Sequence, residues 1–491
     1  MNRLARMVVV TLALLCAFTI GAGAAIARLL PPRLALFQMP QVAGARLAAT
    51  GHGLQGAVGP AAGSGGQATA SAVSARLSPL IGSGGLGSSV GALVTDLSTG
   101  RVLYQLNPAV GFTPASTTKI ATAVAAIDVL GPGARFTTSV TMSPAAGAGA
   151  AHGGVPTIVL VGGGDPVLAA GPYPAGDYPQ PATLTSLAAR AAAALRAKGI
   201  SQVRLRYDDS LFGGPVLGPG WPAFGTATNY VYTGNFTQIT GLEVDQGRLT
   251  ASGRPEDSDD PFNYRPRSLT PSADAAKAFA RFLRKDGIAV HGTLAGPPRH
   301  AGPVIASVRS PALAEIVQQM LTESNNVIAE TLARHVAIAT GRPGTFSGAA
   351  AAVMAVDRKL GVTGIQLYDG SGLSPLNRIS PRALVGLVRL AAGSGPARLR
   401  TVITGMPVSG FSGTLAPGSY FGPFGQAGLG TVRAKTGNLT GVVTMAGIVY
   451  TASGQALAFA FMGNNIAVKQ AGTAGITLAQ LATALAGCGC H

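Results

Sequence analysis

The chain has 491 residues, of which 47% are apolar, and its 36 basic and 19 acidic residues give a formal charge of +17. This length and apolar content exclude an intrinsically disordered protein and leave room for more than one domain. The only cysteines are Cys16, Cys488 and Cys490, which excludes a disulfide scaffold for the body of the chain.

The first segment, 7–27, consists of 21 uncharged and mostly apolar residues, which is long enough to cross a bilayer as a helix. Arg3 and Arg6 precede it and predict a cytoplasmic N-terminus. Small residues at 22–24 and 25–27 also fit a cleavage site, so a cleaved signal peptide and a retained anchor both remain open. The apolar length favours the anchor. Residues 1–34 are therefore predicted to be a membrane anchor or signal peptide that leaves the body of the protein extracytoplasmic.

Residues 35–80 are predicted to be a flexible linker. The stretch 43–74 is rich in Gly, Ala, Ser and Gln and nearly uncharged, so it has little apolar surface to bury. A tether of this kind would lift a catalytic domain off the membrane. A substrate-binding segment is the alternative, but no aromatic cluster or motif marks it.

The rest of the chain alternates predicted strands and helices, which indicates an α/β protein. Strands are predicted at 90–96, 101–104, 157–161, 202–207, 430–434, 442–450 and 456–462. Helices are predicted from Ser116 onward and at 184–198, 272–284, 311–320 and 477–485, the fourth of them capped by Ser310. The tail, 488–491, holds two cysteines and His491; a frayed end is favoured over a metal site.

Ser116 and Lys119 form the only pair in the chain in which a lysine follows a serine by three positions. Residues three apart on a helix share one face, so the lysine amine can reach the serine hydroxyl. A serine needs a neighbouring base to become a nucleophile, and a lysine serves if burial and nearby cations, such as Lys435, lower its pKa. At the start of a helix, free N–H groups would also stabilise a developing negative charge.

Two further strings follow in a fixed order, S-x-N at 324–326 and K-T-G at 435–437, and each occurs once. Taken singly, each string has a plain structural interpretation. Ser116 and Ser324 are acceptable helix starts, and K-T-G suits a hairpin turn. The ordered set of S-x-x-K, S-x-N and K-T-G is typical of serine enzymes that use lysine in place of histidine.

The set resembles the penicillin-binding protein and serine beta-lactamase superfamily, and in particular its class C low-molecular-mass D-alanyl-D-alanine carboxypeptidases/endopeptidases. That family carries an inserted domain between the first two motifs, and the gap from 116 to 324 has room for one. Further strings similar to the family lie at 161–166, 208–212, 218–221 and 369–374. The sequence departs from the family at Asn438, where a threonine is usual.

The resemblance implies a transpeptidase-like domain, with an antiparallel sheet flanked by helices, at 81–135 and 305–487, and an inserted α/β domain at 136–304. It also implies roles for single residues. The catalytic ones are Ser116, Lys119 and Ser324, and the substrate-binding ones are Asn326, Lys435, Thr436, Gly437 and Asn438. The backbone N–H groups of Ser116 and Asn438 would hold the tetrahedral oxygen. Peptidoglycan peptides and beta-lactam antibiotics are the implied partners.

Competing mechanisms have little support in the sequence. The histidines lie in no recognisable triad motif, and no zinc-binding pattern occurs, so neither a metal nor another cofactor is expected. The E-x-x-L-N string of a class A beta-lactamase is missing as well. No motif indicates a nucleic-acid partner. The remaining alternatives are a beta-lactamase of another kind and a catalytically idle wall-binding or scaffolding protein.

Overall fold

The computed structural model describes residues 67–143, 154–249, 266–296, 302–419, 421 and 428–488. All of them fall within one structural unit of the chain. The predicted anchor at 7–27 and the linker as far as residue 66 lie outside the described residues. Within the described ranges, no helix is both long and apolar enough to cross a membrane.

Helices and strands alternate as the sequence predicts, and they are numbered here in chain order. The α-helices are α1 (Ala70–Gly82), α2 (Thr118–Leu130), α3 (Leu184–Arg196), α4 (Pro271–Lys285), α5 (Leu313–Thr322), α6 (Asn326–Ala339), α7 (Phe346–Lys359), α8 (Pro381–Arg389), α9 (Arg400–Thr404) and α10 (Ala471–Ala486). The strands are β1 (Ser89–Asp96), β2 (Val102–Leu106), β3 (Thr137–Met142), β4 (Thr157–Val161), β5 (Gln202–Asp208), β6 (Ala289–Ala295), β7 (Val304–Arg309), β8 (Ile365–Gln366), β9 (Arg378–Ile379), β10 (Val432–Leu439), β11 (Val442–Tyr450) and β12 (Ala456–Asn464).

The first sheet has the strand order β10-β11-β12-β1-β2, and all of its neighbouring strands are antiparallel. Its two faces are both covered. Apolar side chains of α2, α5, α6, α7 and α8 form the core on one face, and those of α1 and α10 form the core on the other. Burial on both faces explains why β11 is a continuous apolar run, with every residue from Val442 to Val449 buried. Strand β10 lies at one edge of this sheet.

The second sheet has the order β6-β5-β4-β3-β7 and uses residues 137–309, between the first and second motifs. It is mixed, because β4, β5 and β6 run parallel whereas β3 pairs antiparallel with β4 and β7. Helices α3 and α4 pack on it through their own apolar cluster. Strand β7 begins at residue 304, the last residue of the predicted insert, and it completes this sheet by pairing with β3. The boundaries of the domains themselves stay predictions.

The linker prediction is wrong for residues 70–80, which belong to α1. Val73, Leu77 and Ile81 are buried at a spacing of four residues, which puts them on one helix face. They pack in the same core as the side chains of α10. Thr69 caps the N-terminus of the helix, since its hydroxyl accepts a hydrogen bond from the N–H of Ala72 at 3.2 Å. The Ala- and Ser-rich composition of this stretch masked an amphipathic helix.

Two smaller expectations also need correction. Helix α5 begins after Ala312, and Ser310 is not its cap, because its hydroxyl accepts a hydrogen bond from the Phe136 N–H at 2.9 Å. The residue that precedes the helix is instead Ala312, whose N–H donates a hydrogen bond to Glu315 Oε2 at 2.7 Å. At the other end of the chain, Cys488 is only 1% exposed beside α10, so the fold extends one residue into the predicted tail.

Candidate active site

Ser116 lies in a single 3₁₀ turn, Ala115–Thr117, directly before α2. Ala115 has a φ of +47°, a strained value for a residue with a side chain. The turn is held by the Pro114 carbonyl, which accepts from the hydroxyls of Thr117 at 2.7 Å and Thr444 at 2.6 Å. The Ser116 side chain does not cap α2, whose preceding residue is Thr117. The helix-start interpretation of Ser116 therefore does not hold, and its hydroxyl is half-buried at the head of the helix.

Lys119, on the first turn of α2, is fully buried. Its Nζ lies 3.0 Å from Ser116 Oγ, 2.7 Å from Asn326 Oδ1 and 2.8 Å from the Ser371 carbonyl oxygen. Burial lowers the pKa of Lys119 to about 7, although the carboxylates of Asp369 and Glu330 oppose this shift. The lysine is therefore balanced between its charged and neutral forms near neutral pH.

The Ser371 carbonyl that orients Lys119 is held in place by Glu330 on α6. Glu330 Oε1 accepts from the N–H groups of Gly370 at 2.9 Å and Ser371 at 2.8 Å. Burial and the nearby Asp369 raise the pKa of Glu330 to about 7. Sequence reasoning missed this residue. The available signal was its position four residues after Asn326, which puts both side chains on one face of a helix.

Asp369 joins the loop 369–374 to the segment that follows β5. Its Oδ2 accepts a hydrogen bond from Trp221 Nε1 at 2.9 Å, and its Oδ1 accepts one from the Gly372 N–H at 2.9 Å. The Ser374 hydroxyl donates to the Pro219 carbonyl at 2.6 Å. The strings 218–221 and 369–374, which the sequence shows only as similar to the family, are therefore in direct contact with each other. The second of them also contacts Lys119 through the Ser371 carbonyl.

The second motif lies at the junction of α5 and α6. Ser324 has a φ of +61°, and Asn325 caps α6 by accepting from the Ile328 N–H at 3.0 Å. Asn326 contacts Lys119 through Oδ1, and its Nδ2 donates to the Asn235 carbonyl at 3.0 Å. No hydrogen bond joins the Ser324 hydroxyl to Ser116, Lys119 or Lys435, all of which are described residues. Asn326 thus contacts the Lys119 amine directly, whereas the catalytic role of Ser324 stays a prediction.

The third motif lies within β10, whose ladder with β11 continues from Val432 to Leu439. The predicted strand at 430–434 is therefore too short, and the hairpin-turn alternative does not hold. Lys435 is fully buried, and its Nζ donates to the Thr436 carbonyl at 2.7 Å. Burial, and after it the like charge of Lys119, lower the pKa of Lys435 well below its usual range. Thr436 is half-buried and Asn438 is exposed on the strand.

Gly437 lies against the Ser116 turn. A Cβ at this position would be 2.2 Å from Thr444 Oγ1, 2.7 Å from the Pro114 oxygen and 2.9 Å from the Ser116 nitrogen. The absence of a side chain therefore lets β10 approach the turn that carries Ser116. No group of three or more side chains suited to a metal occurs among the described residues.

Known proteins resemble this chain both in sequence and in structure. The model of the D-Ala-D-Ala carboxypeptidase 3 (S13) family matches residues 73–261 and 234–485. The chain is 37% identical to carboxypeptidase DacB of Mycolicibacterium smegmatis over 405 residues, which covers 81% of this chain and 80% of that protein. It is 29% identical to the D-alanyl-D-alanine carboxypeptidase of Actinomadura sp. over 442 residues, covering 77% of this chain and 78% of that one.

The crystal structure of penicillin binding protein 4 (dacB) from Haemophilus influenzae matches with a TM-score of 0.64 at 22% identity, covering 85% of this chain and 98% of that one. This match confirms the predicted fold class, an α/β transpeptidase-like fold with an inserted α/β part. The family match and the DacB relative confirm the resemblance that the three motifs predicted. The chain therefore belongs to the D-Ala-D-Ala carboxypeptidase 3 (S13) family of penicillin-binding hydrolases.

Proposed function

We propose that this protein is a serine carboxypeptidase that removes the terminal D-Ala from peptidoglycan stem peptides through an acyl-enzyme on Ser116. The observation that carries this proposal is the buried Lys119 amine, 3.0 Å from the Ser116 hydroxyl, with its pKa lowered to about 7. A general base works best when its pKa lies near the working pH. An idle protein of this fold would have no need for such an amine.

The partners of Lys119 support its assignment as the base. A neutral amine has two N–H bonds and one lone pair. The Asn326 Oδ1 and Ser371 carbonyl oxygens can only accept, so they take the two N–H bonds. The lone pair then remains for the proton of the Ser116 hydroxyl. Deprotonated Ser116 Oγ attacks the peptide carbonyl carbon, and the proton is held on Lys119.

The tetrahedral oxygen would be stabilised by the backbone N–H groups of Ser116 and Asn438. The close approach of Gly437 to the Ser116 nitrogen supports this assignment, because it brings the two elements together. When the C–N bond breaks, the leaving D-Ala amine takes the proton from Lys119, directly or through Ser324. Water then attacks the acyl carbon and gives one proton to Lys119. When the bond to Ser116 breaks, Lys119 returns that proton to Ser116 Oγ. Lys435 and Thr436 would bind the substrate's terminal carboxylate.

The experiment combines covalent labelling with product analysis. A fluorescent penicillin should label the wild type, and Ser116→Ala should lose the label with an unchanged melting temperature. Muropeptides with and without cross-links, incubated with the enzyme and analysed by mass, should lose one terminal D-Ala. Labelling that survives in Ser116→Ala excludes this nucleophile. Cleavage of the cross-link would add an endopeptidase activity, and hydrolysis of penicillin without action on muropeptides would favour the beta-lactamase alternative.

We also propose that residues 1–34 hold the enzyme at the outer side of the membrane. The family acts on the cell wall, which supports an extracytoplasmic body, and the apolar run at 7–27 supports an anchor. Membrane fractions washed with alkaline carbonate should retain the full-length chain. Release of a shorter soluble chain that begins near residue 25 or 28 would instead identify a cleaved signal peptide.

A further inference from the structure

A second hydroxyl, that of Thr414, lies beside the third motif. The Thr414 and Thr436 hydroxyl oxygens are 2.8 Å apart, a normal hydrogen-bond distance. Both side chains are half-buried. No motif marks Thr414, which lies 22 residues before Thr436 in the chain.

The turn that carries Thr414 is held on both sides. Gly413 has a φ of +51°, and a Cβ there would lie 2.1 Å from the Thr322 carbonyl oxygen at the end of α5. Leu415, on the other side, is 1% exposed in the core beneath the sheet. The Gly410 N–H donates to the Leu415 carbonyl at 2.7 Å, which closes the loop. Thr414 is therefore positioned by backbone contacts and has little freedom to turn away from Thr436.

The same loop covers only the first part of the open edge of β10. The Ser409 N–H donates to the Val432 carbonyl at 2.9 Å, and the Ala434 N–H donates to the Pro407 carbonyl at 3.1 Å. The loop then leaves the edge, and Thr414 comes to lie beside Thr436. Thr414 thus stands at the point where the covered edge ends and the proposed substrate-binding part of the strand begins.

We propose that Thr414 is a positioning residue that selects substrates with a free terminal carboxylate by orienting the Thr436 hydroxyl. A hydroxyl carries one proton and two lone pairs, so only one proton lies between these two oxygens. When a carboxylate binds, the Thr436 O–H turns to it, because a hydrogen bond to a charged acceptor is the stronger one. Thr414 then donates its own proton to Thr436, and this second bond strengthens the first.

This inference rests on the proposed function, since it assumes that Thr436 meets the substrate carboxylate. The test compares a peptide ending in D-Ala-D-Ala with the same peptide ending in an amide, and benzylpenicillin with its methyl ester. Thr414→Val should raise KM for the free peptide about fivefold, the scale of one hydrogen bond, with kcat changed less than about twofold. The same variant should slow acylation by benzylpenicillin by a similar factor. It should leave KM for the peptide amide and the rate of acylation by the methyl ester unchanged.

Three matched variants complete the test. Thr414→Ser keeps the hydroxyl and should restore the preference for the carboxylate. In a Thr436→Val background, Thr414→Val should have no further effect. Thr404→Val makes the same change at an exposed threonine on α9 and should leave all rates unchanged. If the valine variant at 414 melts early, Thr414→Ala replaces it.

The outcomes separate the two proposals. Three results would each overturn the role of Thr414. The first is a wild-type rate from Thr414→Val, and the second is an equal loss of rate on the ligands with and without a free carboxylate. The third is a failure of Thr414→Ser to restore the preference for the carboxylate. If the wild type turns over neither peptide, the carboxypeptidase proposal fails. The comparison of benzylpenicillin with its ester still tests Thr414 in that case, because the antibiotic carries its own carboxylate.

Discussion

Replacing Gly437 by alanine should slow acylation because the new methyl group displaces the backbone turn that carries Ser116. The effect does not require the methyl group to touch the substrate. The added Cβ would lie 2.2 Å from Thr444 Oγ1, whereas ordinary van der Waals contact begins at 3.4 Å, so one side must move by about 1 Å. Thr444 cannot move freely, because its hydroxyl donates to the Pro114 carbonyl at 2.6 Å. The strain therefore passes to the turn that carries Ser116. A misplacement of about 1 Å at a reacting group costs about 10²-fold in rate.

The assay is the second-order rate constant for acylation by a fluorescent penicillin, measured by stopped flow. Gly437→Ala should lose about 10²-fold, and Gly437→Val should lose more. Gly472→Ala is the matched control, since a Cβ there meets nothing within 4 Å inside α10, and it should acylate at the wild-type rate. If Gly437→Ala acylates within twofold of the wild type, β10 does not press on the Ser116 turn and the site geometry is wrong.

Three further predictions concern proton transfer and the strand edge. The acylation rate should rise about tenfold from about pH 6 to about pH 8. The reason is that burial lowers the pKa of Lys119 to about 7, and only the neutral amine accepts a proton. An acylation rate that does not change with pH contradicts this. Lys119→Arg, which stays charged, should slow acylation by more than about 10²-fold, whereas Lys435→Arg should mainly raise KM; equal rises in KM with unchanged kcat would refute the division of roles. Asn438→Thr should keep the acylation rate within about tenfold of the wild type, a cost below roughly 1.4 kcal/mol. The reason is that the proposed donor is the main-chain N–H and the side chain is exposed. A much larger loss of penicillin labelling would argue against a main-chain role.

The sequence alone determined the family and much of the secondary structure, and it predicted the reacting pair. The spacing of Ser116 and Lys119 is local, so helix geometry suffices to bring the two groups together. Strands β4 and β11 begin and end where their apolar runs predict, because burial depends on residue type and period. Helices α1, α7, α8 and α9 lie outside the predicted ones, and in α1 the small residues outnumber the three buried apolar ones.

The tertiary structure decided what supports that chemistry. Glu330, Trp221 and Thr414 contact partners 40, 148 and 22 residues away in the chain, and helix or strand periodicity does not predict which partner each of them meets. The clearance at Gly437 likewise depends on how β10 docks on the Ser116 turn. A hydrogen bond between distant segments needs both ends to be placed by the packing of the whole chain. The sequence therefore predicts which residues should react, whereas the contacts that hold them in place appear only in the fold.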